Sequence, residues 1–592
     1  MKSVFMEKNM RIRQILGGLS CLMLMTACSV ETDQEWPLFG GNELHQRHSP
    51  LTAVSPANVN SLTPAWEFNT GIEATFQATP IVKKGVMYVS LPFNDVVALD
   101  AASGKKIWRY RHDWNKSREM CCGPANRGVA VANGRVFMGT VDGRLIALDA
   151  RTGNKVWDQD VTKGQSGIRE EISSLAADTE GQVSGTSGAG LNMAPLVYQD
   201  KVIIGITGVG YGLHLDSPDP DAPLGAVVGI AGKYGRRGFL AAFDIDSGEP
   251  LWQFDTVPEQ GWEGDFVATT PDGEPLPRDL EAEKATAAEY ADAWRYGGGS
   301  AWSTPAVDHE TETLFFGTGN PSPQMEGSSR PGDNLYTSSL VALDANSGKI
   351  KWYFQQVPHD MWGYDVASPP VLFDVQRDGE RIPAVGQAGK TGWFYVLNRN
   401  TGKLLFKSDA YVPQQNMFQS PSSDGTVIYP GVLGGSNWSP VSVDAERRLV
   451  FIAGIHWPVN YSLHKLESKQ GEADLQYSSM SPLDTDERYG LLSAINIDTG
   501  KLVWQHKTNN PLLGGVLSTA SGLVFSGEGS GELFALDAES GEKLWSGETK
   551  AGVNAPPISY QIGGKQYIAV TAGGNKLFGY KTGDSIKTWT LP

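Results

Sequence analysis

The sequence predicts an all-β chain: an eight-bladed β-propeller with tryptophan-docking repeats and long inserted loops. Two observations predict it. One phrase recurs along the chain, and strand-like runs lie upstream of several copies of it. "ALDAASGKKIW" ends at Trp108, "ALDARTGNKVW" at Trp157, "AFDIDSGEPLW" at Trp252 and "ALDANSGKIKW" at Trp352. "VLNRNTGKLLF" ends at Phe406, "AINIDTGKLVW" at Trp504 and "ALDAESGEKLW" at Trp545. A degenerate eighth copy, "LFGYKTGD", lies near the end of the chain.

Each copy reads as strand, tight turn, strand. Small and apolar residues alternate before the turn and face a core. Asp or Asn, followed by Ser/Thr-Gly, supplies the turn chemistry. The aromatic residue packs on a neighbouring unit. Runs such as "GVMYVS" and "GRVFMG" add the remaining strands. Four short strands per unit, repeated about eight times, specify a propeller. Some repeats are much further apart than others, so residues 161–190, 211–237, 258–297 and 461–488 are insertions, and "LEAEKATAAEYADAW" within the third predicts a helix over 280–294. Long insertions on a rigid scaffold build a binding face.

The N-terminus reads as a targeting segment. Lys2, Lys8, Arg11 and Arg13 precede an apolar stretch, 15–25, too short to span a bilayer. It ends in "LMTAC", which resembles a bacterial lipoprotein signal; that reading makes residues 1–27 a signal peptide, Cys28 the acylated first residue and 28–592 a single propeller domain. An ordinary secretory signal cleaved nearby is the alternative. Either way the protein is exported to the periplasm, and lipid chains would tether it to a membrane surface without spanning it. Removing residues 1–27 leaves 45 basic and 65 acidic residues, a balance of −20. So acidic a chain, with no basic stripe, excludes nucleic acid as the expected partner.

Of four cysteines, Cys21 leaves with the signal and Cys28 is acylated, so only the adjacent pair Cys121 and Cys122 keeps free thiol chemistry. Neighbouring Cα atoms sit about 3.8 Å apart, closer than the roughly 4.4–6.8 Å of ordinary disulfides. The pair is either two free thiols or a strained eight-membered ring. An oxidising compartment favours the ring.

The repeats, this pair and several phrases together resemble the quinoprotein alcohol dehydrogenases, eight-bladed propellers that bind pyrroloquinoline quinone (PQQ). The likeness runs from "WPLFGGN" at Trp36 to "GVNAPPISYQIGGKQYIAV" at Val570. It implies a Cys121–Cys122 disulfide lying flat over the PQQ rings. It places Trp302, in "GGGSAWSTPAVD", beneath them as a floor. It assigns Arg127 to the acidic groups of the quinone, and Lys390 in "GQAGKTGWFYVLNRNTG" to its oxygens. Asn437 and Trp438 of "GGSNWSP" fall on the rim, and Asn320 of "GTGNPSP" at an amide ligand of the metal, Ca²⁺ or a lanthanide. The implied activity is oxidation of an alcohol or related substrate. Electrons then pass to a separate acceptor such as a soluble cytochrome, since the chain lacks a C-x-x-C-H haem motif. A basic cytochrome suits so acidic a surface.

The pattern breaks at four places. Lys233 in "GKYGRRG" stands where the family has a metal-binding Glu. Gly363 in "PHDMWGYD" stands where it has the catalytic Asp. Asp365 matches the extra carboxylate of lanthanide-using relatives and is the candidate base and metal ligand, with Asp360 as a further candidate base. Gln77 replaces an acid, and Asn192 a Thr or Ser. A cation at position 233 and the loss of two carboxylates put the metal in doubt, since hard cations want carboxylate oxygens. "AVGQAGKT" nearly matches a phosphate-binding loop but lacks the first Gly and precedes a strand instead of a helix. Two other classes stay open: a non-catalytic propeller that binds a partner, and a propeller hydrolase without PQQ.

Overall fold

In the computed structural model all seven turns of the repeat are built by the same side-chain bond. Asp100 Oδ1 accepts from Ser103 N at 2.9 Å and from Ser103 Oγ at 2.6 Å. The equivalent bonds join Asp149 to Thr152, Asp244 to Ser247, Asp344 to Ser347, Asn398 to Thr401, Asn496 to Thr499 and Asp537 to Ser540. The glycine that follows has positive φ, and there an absent Cβ does further work. At Gly153 a Cβ would stand 2.6 Å from the Trp108 ring, and at Gly248 2.8 Å from Trp157. Trp108, Trp157, Trp252, Trp352 and Trp504 therefore each lie against the turn of the next repeat. All of these but Trp252 also donate their N–H to that turn's backbone: Trp108 to Ala150 O at 3.0 Å, Trp157 to Ile245 O at 3.2 Å, Trp352 to Arg399 O at 3.1 Å and Trp504 to Ala538 O at 3.0 Å. The expected docking of one unit on its neighbour is thus a stacking contact plus, except at Trp252, one hydrogen bond. The variant Phe406 keeps the stacking on Gly500 and cannot donate.

The structure describes residues 33–114, 123–162, 183–186, 189–210, 213–215, 227–228, 232, 235–466, 475–483 and 487–592. The expectations that fall on residues 1–27, Cys28, Cys121, Cys122 and Lys233 lie outside them. Asp33–Pro592 forms one compact unit. Among the described residues eight antiparallel sheets share one four-stranded plan, over 81–110, 130–160, 196–255, 306–355, 371–407, 442–508, 517–548 and 558–590. The last is completed by Thr63–Asn69 from the start of the chain, which pairs with Ser585–Thr590. Innermost strands such as Ile81–Lys83, Ala306–Asp308 and Ser442–Asp444 are buried, whereas the outer strands carry the tryptophans and alternate with exposed residues. The helix of the third insertion is shorter than the sequence suggests, Leu280–Thr286, followed by a 3₁₀ turn at Ala293–Tyr296. None of its residues is buried, so no apolar face extends it; Asp279 caps it by accepting from Ala282 N.

Direction matters for the site. In every sheet the innermost strand starts at the same end of the unit, and the long insertions open from that end. The far end is closed by the N-terminal segment. Trp36 pairs with Val82 and Gln34 with Gln561, near the finish of two innermost strands. The chain then enters the centre, where His48–Ser49 lies parallel to Leu517–Thr519. Arg47, fully buried there, donates to the carbonyls of Phe39, Val516 and Pro557 and lies 5.3 Å from the Trp36 ring centroid. His45 beside it is also buried; burial, and then Arg47, depress its pKa to about 3, so its ring stays neutral.

Candidate active site

The expected site residues converge because each sits just ahead of an innermost strand or in a loop at the same end. Gln77 precedes Ile81–Lys83, Arg127 precedes Ala130–Ala132, and Asn192 precedes Leu196–Tyr198. Trp302 precedes Ala306–Asp308, and Asn437 and Trp438 precede Ser442–Asp444. Asn320, Asp365 and Lys390 occupy inter-strand loops opening at that end.

Aromatic and cationic groups meet here. The Arg127 guanidinium lies 4.8 Å from the Trp302 ring centroid and 5.5 Å from that of Trp438, and Nη1 donates to Trp302 O at 3.3 Å. Trp438 packs edge-on against Phe578 at 6.1 Å. Lys390, 5 % exposed, donates through Nζ to Asp365 Oδ2 at 2.7 Å and to Gly363 O at 3.0 Å. Its stem is accommodated by Gly434, where a Cβ would stand 2.7 Å from Lys390 Cγ. The other oxygen of Asp365 accepts from Asn320 N. The Asn320 amide donates to Gly210 O at 3.1 Å and Pro321 O at 2.8 Å, which leaves its oxygen turned from those carbonyls.

Several buried polar atoms around these groups have no protein partner: Asn192 Oδ1, Asn437 Oδ1 and Trp438 Nε1. Unpartnered buried atoms occur elsewhere too, at Trp36 Nε1 and Trp252 Nε1 for example, so what suits these three to a polar ligand is their place beside Arg127 and Trp302. Asn554 was missed by the sequence reading. It precedes Ile558–Ile562 as Gln77 precedes its own strand, is fully buried, and both its amide atoms are unpartnered. The signal was present: "VNAPP" is in register with "LNMAP".

The break at Gly363 has a structural cause. Its φ is +74°, and a Cβ would collide with Gln324 Nε2 and stand 2.7 Å from Val432 Cγ2. A side chain at 363 is therefore strained by its backbone and crowded by its neighbours, and the Gln324 amide lies against the glycine instead. Asp360 does not replace the missing base. Its carboxylate accepts from Trp362 N at 2.8 Å, Gly363 N at 3.0 Å and Ser338 Oγ at 2.9 Å, and burial pushes its pKa up. It pins the 360–365 loop. A second layer holds that loop from behind. Arg330 donates to Asp360 O at 2.7 Å, and His359 Nδ1 lies 2.8 Å from Gly332 O. Gly332 N in turn donates to Glu283, which takes the Arg278 fork at 2.9 and 2.6 Å. Tyr461, in the strand Val459–Leu466, donates to Trp362 O at 3.0 Å.

The residues present fit PQQ: two cations for carboxylates and quinone oxygens, an indole face for flat rings, and unpartnered amide and indole groups for the remaining polar edge. They fit a hard cation less well. Asp365 already serves a backbone N–H and an ammonium, and among the described residues no three His, Cys, Asp or Glu side chains gather into a metal site.

A family model, the PQQ-dependent glucose/ethanol/alcohol dehydrogenase β-propeller domain, matches residues 36–416 and 407–568. The chain is 32% identical over 552 residues to the quinoprotein alcohol dehydrogenase PedH of Pseudomonas putida, covering 89% of this chain and 84% of that one. It is 32% identical to the quinohemoprotein alcohol dehydrogenase of Comamonas testosteroni, covering 92% of this chain and 73% of the relative. The crystal structure from that organism superposes with a TM-score of 0.76 at 30% identity, over 94% of this chain and 80% of that one. A europium-containing methanol dehydrogenase, 24% identical, shares the fold with a TM-score of 0.75 over 94% of this chain and 98% of its own. By its repeats, its ring of site residues and these matches, the chain belongs to the PQQ-dependent glucose/ethanol/alcohol dehydrogenase propeller family.

Proposed function

We propose that the protein is an exported, PQQ-dependent dehydrogenase of alcohols or related substrates that passes electrons to a separate acceptor such as a soluble cytochrome. The observation that carries this is the meeting of Arg127, Trp302, Lys390 and the unpartnered groups of Asn192, Asn437 and Trp438 at one end of the innermost strands. When bound, PQQ supplies the quinone that accepts the substrate's hydride. In this reading Arg127 and Lys390 bind its anionic and carbonyl oxygens, Trp302 carries its flat face, and Gln77, Asn192, Asn437 and Trp438 line its edge. The Cys121–Cys122 ring would cover the opposite face, and Lys233 would add a cation.

Asp365 is the proposed base. Its Oδ2 takes the hydroxyl proton while Lys390 Nζ, 2.7 Å away, stabilises the charge left on oxygen. Asn320 fixes the carboxylate through its backbone N–H. Asn320 and Asp365 would also be the ligands of any metal, to which no step is assigned. We also propose signal removal after residue 27, acylation of Cys28 and tethering of the 28–592 propeller to a membrane surface in the periplasm.

The absorption spectrum after incubation with PQQ tests the assignment. Saturable uptake of PQQ, weakened by Arg127→Leu and Trp302→Ala, is expected. Absence of uptake with and without Ca²⁺ or La³⁺ refutes it in favour of a partner-binding propeller.

A further inference from the structure

Gln324 lies in the loop that follows Thr313–Gly317 and also carries Asn320. It is 2 % exposed, and its Oε1 has no hydrogen-bond partner in the protein. Its Nε2 is packed against Gly363, where it fills the space a side chain would need. Gly363 is no bystander, since its carbonyl accepts from Lys390 Nζ and it stands two residues before Asp365. The amide therefore packs on the residue whose carbonyl anchors Lys390, one residue removed from the Lys390–Asp365 pair, with a buried carbonyl oxygen that finds no donor in the protein. A buried acceptor left without a donor is costly, so a ligand that brings one is favoured over a ligand that does not.

A simple alcohol has one hydroxyl proton to give. If that proton goes to Asp365, nothing remains for Gln324. A substrate with a second hydroxyl beside the first satisfies both. An amide suits this task because it accepts a hydrogen bond without ionising and does not compete for the proton that Asp365 removes.

We infer that Gln324 is a specificity-determining residue that accepts a hydrogen bond from a second substrate hydroxyl, and that the preferred substrates are vicinal diols. The inference rests on the dehydrogenase reading, whose own test is PQQ uptake. Its test is the ratio of kcat/KM for 1,2-propanediol to that for 1-propanol in PQQ-loaded protein. The wild type is expected to favour the diol by about 10-fold or more, mainly through KM, the effect of satisfying one buried acceptor. Gln324→Met keeps the length and removes the acceptor, and should bring the ratio close to one while PQQ uptake stays unchanged. Gln324→Glu keeps an acceptor and should retain most of the diol-to-alcohol ratio, while its carboxylate competes for the proton and lowers turnover of both substrates. Quenching of tryptophan fluorescence by 1,2-propanediol, without electron acceptor, should weaken in Gln324→Met and persist in Gln324→Glu. Normal PQQ uptake with no diol preference in the wild type overturns the inference and leaves the dehydrogenase reading standing. An equal preference in wild type and Gln324→Met overturns it too. Should Gln324→Met fail to fold, the wild-type ratio and Gln324→Glu decide the matter alone.

Discussion

Restoring a carboxylate at position 363 should damage the protein rather than improve it. Gly363 has φ +74°, a conformation that costs a residue with a Cβ of the order of 1–3 kcal/mol. The new Cβ would also strike the Gln324 amide and stand 2.7 Å from Val432 Cγ2, and overpacking of this kind costs about 1–3 kcal/mol more. Gly363→Asp is thus expected to destabilise the unit by roughly 2–6 kcal/mol. Unfolding entropy near 2.1 cal/mol/K per residue, over a unit of this size, makes each kcal/mol worth about 1 °C, so Tm should fall by roughly 2–5 °C. Displacing the 360–365 loop also pulls Gly363 O from Lys390, so PQQ affinity should drop together with Tm. The pair Gly363→Asp, Gln324→Ala removes one collision but leaves the backbone strain, and should recover only part of the loss. Differential scanning calorimetry and PQQ titration on the three proteins check this. A Gly363→Asp protein as stable as the wild type, with higher turnover, would falsify the reading of Gly363 as a sterically required glycine.

Acid should destabilise the fold early. His45 and His359 are buried and held neutral, each with a pKa near 3 caused first by burial and then by the neighbouring Arg47 or Arg330. Below the unfolded value of about 6.5 only the unfolded chain takes up these protons, so stability is full above pH 6.5 and falls by about 1.4 kcal/mol per pH unit for each ring down to about pH 3. Urea unfolding at pH 7, 6 and 5 measures the slope, and a flat profile between pH 6 and 5 contradicts it. PQQ affinity should be little changed by excess EDTA, because the described donors do not assemble a cation site; a loss of 10-fold or more restores the metal to the mechanism. Wild-type protein should fractionate with membranes, and Cys28→Ala should be released or remain unprocessed; a wholly soluble wild type removes the acylation proposal.

The parts of the structure legible in sequence are those set by local, repeated chemistry. Asp, Ser/Thr-Gly and Trp recur at fixed spacing because five of the tryptophans stack on the glycine turn of the next repeat. The register of that repeat also carries Trp302, Arg127 and Asn437 to one end of the unit. What stayed hidden depends on contacts between residues far apart in the chain. Nothing near Arg47 announces that it will meet the carbonyls of Val516 and Pro557. Asp360 reads as a spare acid until three donors are found on it. Gly363 reads as a lost catalytic residue until the Gln324 amide, from a different loop, is found in the space beside it. The expected helix over 280–294 followed helix propensity alone, while the chain there is fixed by the Arg278–Glu283 pair and shows no buried helical face.

The central plug gives the molecule a definite polarity. The described chain begins at the end opposite the ring of site residues, with Asp33 accepting from Gly563 N and Trp36 bound to Val82. Only five peptide links separate Cys28 from Asp33, a leash of at most about 18 Å. A lipid on Cys28 would hold that base close to the bilayer and turn the mouth of the site outward. Substrate and a diffusing electron carrier could then reach the mouth from open solution without crossing the headgroup layer. Lengthening the leash should free the orientation without touching the chemistry.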